Sequence, residues 1–107
     1  MIERIWHGWT TPDNADAYEA LLRTEIFPGI AAKGVPGYRG IRLLRRALAN
    51  GEIEFATIMS FDSLDAVRAF AGEDYEAAYV PARARLLLAR FDQRAAHYQV
   101  RERLSYT

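Results

Sequence analysis

The stretch EIEFATIMSFDSLDAVRAFAG, Glu52 to Gly72, holds a strand, a capped turn and an amphipathic helix in that order. Ile53, Phe55, Thr57, Met59 and Phe61 alternate with Glu54, Ala56, Ile58 and Ser60, so both faces of the run are almost wholly apolar or small. That pattern belongs to an interior strand covered on two sides. Asp62 or Ser63 is placed to cap a helix whose first turn carries Asp65, and Leu64, Val67, Phe70 and Ala71 recur at helical spacing. Gly72 follows where a helix C-terminus favours glycine.

Working outward toward the N-terminus, Asn50-Gly51 reads as a two-residue hairpin turn of type I′, which pairs a strand over residues 37–47 antiparallel with the strand after it. Ahead of that, Ala15, Tyr18, Leu22 and Ile26 recur at helical spacing from Pro12, with Leu21 beside them. Pro28 cannot donate to the carbonyl of Thr24, so a kink or break is expected there, with Ile30 to Lys33 as a last turn and Gly34 closing it. Ile2 to Trp9, ended by Thr10-Thr11-Pro12-Asp13, is the first strand. Toward the C-terminus, Glu73 to Val80 reads as a short helical turn interrupted by Pro81, Arg83 to Arg90 as another short helix, and Ala95 to Leu104 as a final strand.

A chain of 107 residues is one domain, spanning 1–107. Half of it is hydrophobic, more apolar material than a two-layer domain of this size hides alone, which points to an oligomer. Fourteen basic residues balance fourteen acidic ones, so no net field draws nucleic acid or an anionic membrane. There is no cysteine, which excludes disulfides, thiol nucleophiles and cysteine metal sites. No apolar run approaches the roughly 18 residues of a membrane span, and the start Met1-Ile2-Glu3-Arg4 lacks a signal-peptide core; a cytoplasmic protein is expected.

The order β-α-β-β-α-β, with right-handed crossovers, folds into a ferredoxin-like α+β domain: a four-stranded antiparallel sheet with both helices on one face and the first and third strands central. The other face is then bare and apolar. Twofold pairing of two such sheets covers it, so a homodimer is expected.

Several stretches resemble the antibiotic biosynthesis monooxygenase-like proteins of the dimeric α/β-barrel superfamily. They are the opening Met1-Ile2-Glu3-Arg4-Ile5-Trp6-His7-Gly8, the approach Pro36-Gly37-Tyr38-Arg39-Gly40, the junction Ser60-Phe61-Asp62-Ser63-Leu64-Asp65-Ala66 and the closing His97-Tyr98-Gln99-Val100. The resemblance implies a dimeric α/β barrel and, for the reaction, a cofactor-independent monooxygenase acting on a small hydrophobic aromatic substrate. The haem-degrading relatives carry an Asn on the first strand and a His on a helix; here the first strand has no Asn, and His7 and His97 both read as strand residues, which disfavours that activity.

The candidate catalytic residues are His7, His97, Tyr98 and Arg39. His7 or His97 has the chemistry of a general base toward a phenol or an activated C–H, and Tyr98 or Arg39 that of a donor to the resulting oxyanion. With Ile5 and Trp9 on its own face, His7 is expected inside, lining a pocket beside aromatic side chains; the plainer alternative, a histidine bonded into the sheet or the dimer seam, is the commoner use of such a residue. His97 shares that face if the first and last strands pair in register. Trp6, Trp9, Phe27, Phe55, Phe61, Phe70 and Tyr98 are available to build an aromatic pocket or simply the core, and the run from Glu73 to Tyr79 is either a lid or a surface connection. Neither a metal site nor a cofactor motif is present. Two readings follow: the oxygenase, and a non-catalytic dimer that keeps a ligand pocket.

Overall fold

The computed structural model describes residues 1–107. β1 (Ile2–Thr10) and β3 (Ile53–Phe61) lie antiparallel at the centre of one sheet, Ile2 opposite Phe61 and Thr10 opposite Ile53. β2 (Tyr38–Ala47) is the edge beside β3. The final strand, expected over Ala95 to Leu104, is the shorter β5 (Ala96–Gln99), and ahead of it a two-residue strand, β4 (Arg90–Phe91), lies where the end of a helix was expected; both pair with β1. The sheet thus has five strands in four positions, and residues 100–107 continue without regular structure.

The helices cover one face. α1 (Pro12–Leu21) begins at Thr11, whose hydroxyl accepts from Asn14 N–H, and buries Ala15, Tyr18 and Leu21. The anticipated disturbance before Pro28 is a π-helical turn, Leu22–Ile26, closed by Phe27 N–H donating to Leu22 C=O. The wider turn immediately precedes Pro28, which lies in the first turn of α2 (Phe27–Ala32). The chain therefore bends rather than breaks. Gly34, at φ +61°, ends it.

α3 (Leu64–Ala71) is capped by Ser63, while Asp62 instead grips Arg39. Its buried residues are Ala66 and Val67; Phe70, expected on the same stripe, is only half-buried. Gly37, at φ +84°, has no room for a side chain, since a Cβ would lie 2.7 Å from that of Ala66. The start of β2 is pressed against α3 there.

The turn between β2 and β3 differs from the expected type I′. Gly51 alone has positive φ, Gly51 N–H donates to Leu48 C=O, and Leu48 N–H donates to Glu52 C=O. This is a three-residue loop with glycine in the bulge position. Asn50 is occupied otherwise, its side-chain oxygen accepting from Glu52 N–H at 2.9 Å.

The run 73–80, expected to be helical, contains only turns and one bridge, Ala77 to Arg94. α4 (Ala82–Leu87) follows Pro81 and packs on α1. No helix is long and apolar enough to cross a membrane.

One face of β3 carries both core clusters, one toward each end of the strand, and the register with β1 fixes which β1 residues share that face. Ile53 and Phe55 join Tyr18, Leu21 and Leu22 in one core cluster, and Met59 and Phe61 join Ile30, Ala66 and Val67 in another. On β1, Ile2, Arg4, Trp6, Gly8 and Thr10 face the helices, and Glu3, Ile5, His7 and Trp9 face away.

Candidate functional site

Between the two core clusters, where the helices do not meet the sheet closely, lies a cavity of about 60 Å³. Its floor is Arg4 and Trp6 of β1 with Thr57 and Met59 of β3; its walls include Tyr18, Phe27 and Phe70; Tyr79, Val80 and Pro81 cover it. A cavity that holds benzene has a volume of about 150 Å³. An aromatic ring therefore enters only if the cover moves outward.

Arg4 is the unusual group. It stands on a central strand with 4% of its surface exposed, and burial pulls its guanidinium below the ordinary range. Yet Arg4 takes part in none of the chain's ion pairs, and neither does Lys33, whose ammonium lies 4.7 Å from the Tyr79 ring at the cavity mouth. The partners of Arg4 are neutral: Nη1 donates to the Tyr75 carbonyl, Nη2 to the Ala77 carbonyl at 3.1 Å, and Nη1 also meets His97 Nε2 at 2.9 Å. Two of these acceptors belong to the segment leading into the cover, which ties that segment to the sheet. A buried cation without an anion is costly, and its retention calls for a purpose.

His97 lies opposite Arg4 in the β1–β5 ladder, so it faces the helices. An arginine only donates, so Nε2 must accept, and the neutral ring carries its proton on Nδ1. That Nδ1 is buried and has no partner. Burial first, and the Arg4 charge second, lower the His97 pKa, while Glu76 acts weakly the other way. The consequence for stability has a definite sign. The unfolded chain takes a proton at His97 near its usual 6.5 and the folded chain only below that, so this contribution is complete above 6.5 and declines as pH falls. Urea midpoints should drop between about pH 7.5 and about pH 5.5, above the range where the carboxylates protonate, and His97→Asn should shrink that drop. An undiminished drop in the variant would assign it elsewhere.

The remaining sequence candidates are elsewhere. His7 does not line the cavity: it is on the opposite face of the sheet, pairs with Ala56 in register, and donates from Nδ1 to Glu54 at 2.8 Å. Ile5 and Trp9 do share its face, as expected, but that face is the one without helices. Glu54, 8% exposed, also accepts from Arg46 at 2.6 Å; Arg46 foremost, then His7, holds its carboxyl below the usual range against the effect of burial. His7 and His97 are thus on different faces. Tyr98 is 57% exposed on the outer face, and Arg39 is held by Asp62 at 2.6 and 2.7 Å. Of the aromatic residues considered, Trp6, Phe27 and Phe70 reach the cavity; Phe55 and Phe61 are core, and Trp9 lies outside under Arg90. No three carboxylate or imidazole groups converge as a metal site would require.

Arg4 went unnoticed in the sequence. Its signal was present: it alternates with Ile2 and Trp6 on a strand read as central, a charge in an apolar row.

Three solved structures share this architecture. Rv0793 from Mycobacterium tuberculosis is 21% identical with a TM-score of 0.62, covering 97% of this chain and 98% of its own. A protein from Bacillus cereus named as a candidate antibiotic biosynthesis monooxygenase is 13% identical at a TM-score of 0.61, with 99% and 95% covered. One of the same designation from Chloroflexus aurantiacus J-10-fl is 18% identical at 0.57, with 97% and 96% covered. The fold is the one found in antibiotic biosynthesis monooxygenase-like proteins. No family model matches the sequence, and no curated protein matches it.

Proposed function

We propose that the chain is a cofactor-independent monooxygenase for a small hydrophobic aromatic substrate, bound in the cavity between sheet and helices. The observation that carries this is Arg4, a buried guanidinium with no counter-anion at the floor of an aromatic cavity. Such a charge favours the conjugate base of an acidic aromatic over its neutral form, and the low dielectric around it enlarges the effect. An anthrone-like methylene so deprotonated reduces dioxygen itself: the carbon gives four electrons, one oxygen atom becomes the new carbonyl and the other leaves as water. In this reading Arg4 takes the oxyanion-holding part first assigned to Tyr98 or Arg39. His97, outside the cavity lining and held at Nε2 by Arg4 Nη1, is assigned as the proton acceptor, a role that requires that contact to open; His7 is on the opposite face of the sheet.

The test is aerobic incubation with an anthrone and naphthol panel, following oxygen uptake without added cofactor. Uptake above buffer, with one quinone carbonyl per dioxygen, is expected. The engagement of His97 Nε2 by Arg4 favours the alternative, a non-catalytic ligand-binding protein. Binding of the panel with no uptake would establish that alternative instead.

The proposal includes a homodimer that closes the barrel. Ile5, Trp9, Ala56 and Ile58 lie centrally on the outer sheet face, half-buried with no helix over them, and Leu44 is 46% exposed beside them. A sheet-to-sheet interface above about 1,200 Å² in total would cover them. Sedimentation is expected to give twice the 12.2 kDa chain mass, and Ile58→Asp to return the monomer. A wild-type monomer at micromolar concentration would contradict the pairing.

A further inference from the structure

We propose that the cavity ligand carries a planar anion of two oxygens, a carboxylate being its plainest form, gripped by the Nε and Nη2 edge of Arg4. The inference rests on the reading above for the location of the site, and goes beyond it in assigning the charge and shape of the substrate's polar end.

Two of the chain's arginines hold a carboxylate side-on. Arg39 takes Asp62 through Nε at 2.7 Å and Nη2 at 2.6 Å, and Arg90 takes Glu52 through Nε at 3.2 Å and Nη2 at 2.8 Å. In Arg4 that same pair of nitrogens is largely free. Nε makes no bond, and Nη2, with two hydrogens, makes one, to the Ala77 carbonyl. Both Nη1 hydrogens are engaged, by the Tyr75 carbonyl and His97 Nε2. These contacts fix the guanidinium plane from its far edge and leave the side-on fork unfilled.

What surrounds that fork selects an anion over a neutral polar group. Arg4 has no carboxylate partner and the rest of the cavity lining is chiefly apolar; Lys33, exposed and outside that lining, lies 5.5 Å from the Phe70 ring. A neutral amide would satisfy one donor and leave the charge uncompensated; a carboxylate satisfies both and neutralises it. The aromatic part of the ligand then lies along Trp6, Phe27 and Phe70.

The experiment compares 2-naphthoate with its uncharged isostere 2-naphthamide by titration calorimetry on the full chain. Wild-type protein should bind 2-naphthoate at least about tenfold more tightly, about 1.4 kcal/mol. Arg4→Gln should bring the two within about twofold while still binding the amide, and Arg4→Lys, which keeps the charge without the fork, should fall between. His7→Gln, on the opposite face, should leave the ratio unchanged. Equal affinities in the wild type, binding of neither compound, or a preference that survives Arg4→Gln would overturn the proposal. Should the Gln variant not fold, a wild-type structure with 2-naphthoate decides: the carboxylate on Arg4 Nε and Nη2 supports it, and any other position overturns it. A tenfold preference without oxygen uptake on the panel leaves this site standing and removes the oxygenase reading. Uptake with neutral naphthols and no preference for 2-naphthoate does the reverse.

Discussion

Phe55→Ala is expected to lower the folding free energy by about 3–5 kcal/mol, the range found for a fully buried phenylalanine cut back to alanine. Phe55 has no exposed surface. Its ring meets that of Tyr18 edge-on at 5.0 Å, and the Arg45 guanidinium lies 5.5 Å over it. The loss therefore combines apolar transfer, an aromatic pair worth about 1 kcal/mol and a void between β3 and α1. The helix cannot settle into that void, because Thr11 caps one end and the π-helical turn fixes the other. Against a total stability of about 5–15 kcal/mol the variant should be close to unfolding at room temperature. Urea denaturation at fixed protein concentration measures it; an unchanged slope with a stability loss below about 1 kcal/mol would mean that β3 does not present this residue to the helices.

Arg4→Met is expected to leave the fold nearly as stable while reducing turnover by about 10²–10³ fold, as loss of an oxyanion-stabilising donor does elsewhere. The separation follows from the balance of terms at this position. Removing Arg4 ends the burial of an uncompensated charge, which favours the folded state, but also strips the Tyr75 and Ala77 carbonyls of a donor, which opposes it. A net change within about 1 kcal/mol is expected. A residue kept merely for structure would behave in the opposite way, with a large stability loss and a proportional loss of activity. Calorimetric melting beside oxygen uptake per folded molecule distinguishes the two.

The architecture was legible because its longest elements have strong period. Ile53 to Phe61 and the helix after it announced themselves by alternation followed by helical spacing, with Ser63 and Gly72 as punctuation. Residues 73–80 gave no such pattern, and the helix anticipated there is replaced by turns whose carbonyls serve Arg4. The hairpin signal at Asn50-Gly51 located the turn but mistook its type, because Asn50 uses its side chain on Glu52 rather than adopting positive φ.

The site was much less legible, for a physical reason that begins in β1. Ile2, Trp6, Ile5 and Trp9 make both faces of that strand apolar, so a two-residue period cannot say which face meets the helices. Ile5 and Trp9 point to an inward His7, and they do flank it, but on the face that no helix covers. Only the register, with Arg4 opposite Met59 and His7 opposite Ala56, places Arg4 in the cavity and His7 with Glu54. The same register sets His97 behind Arg4 rather than beside His7.

Because these two residues of β1 lie on opposite faces, they divide the possibilities between them. The measurement is cofactor-free oxygen uptake by Arg4→Met and His7→Gln, each normalised to folded protein, on whichever panel compound the wild type oxidises. The cavity account predicts that Arg4→Met falls by at least about a hundredfold and that His7→Gln stays within about threefold of wild type. Turnover that survives Arg4→Met and is lost in His7→Gln would place the chemistry on the outer sheet face and contradict it.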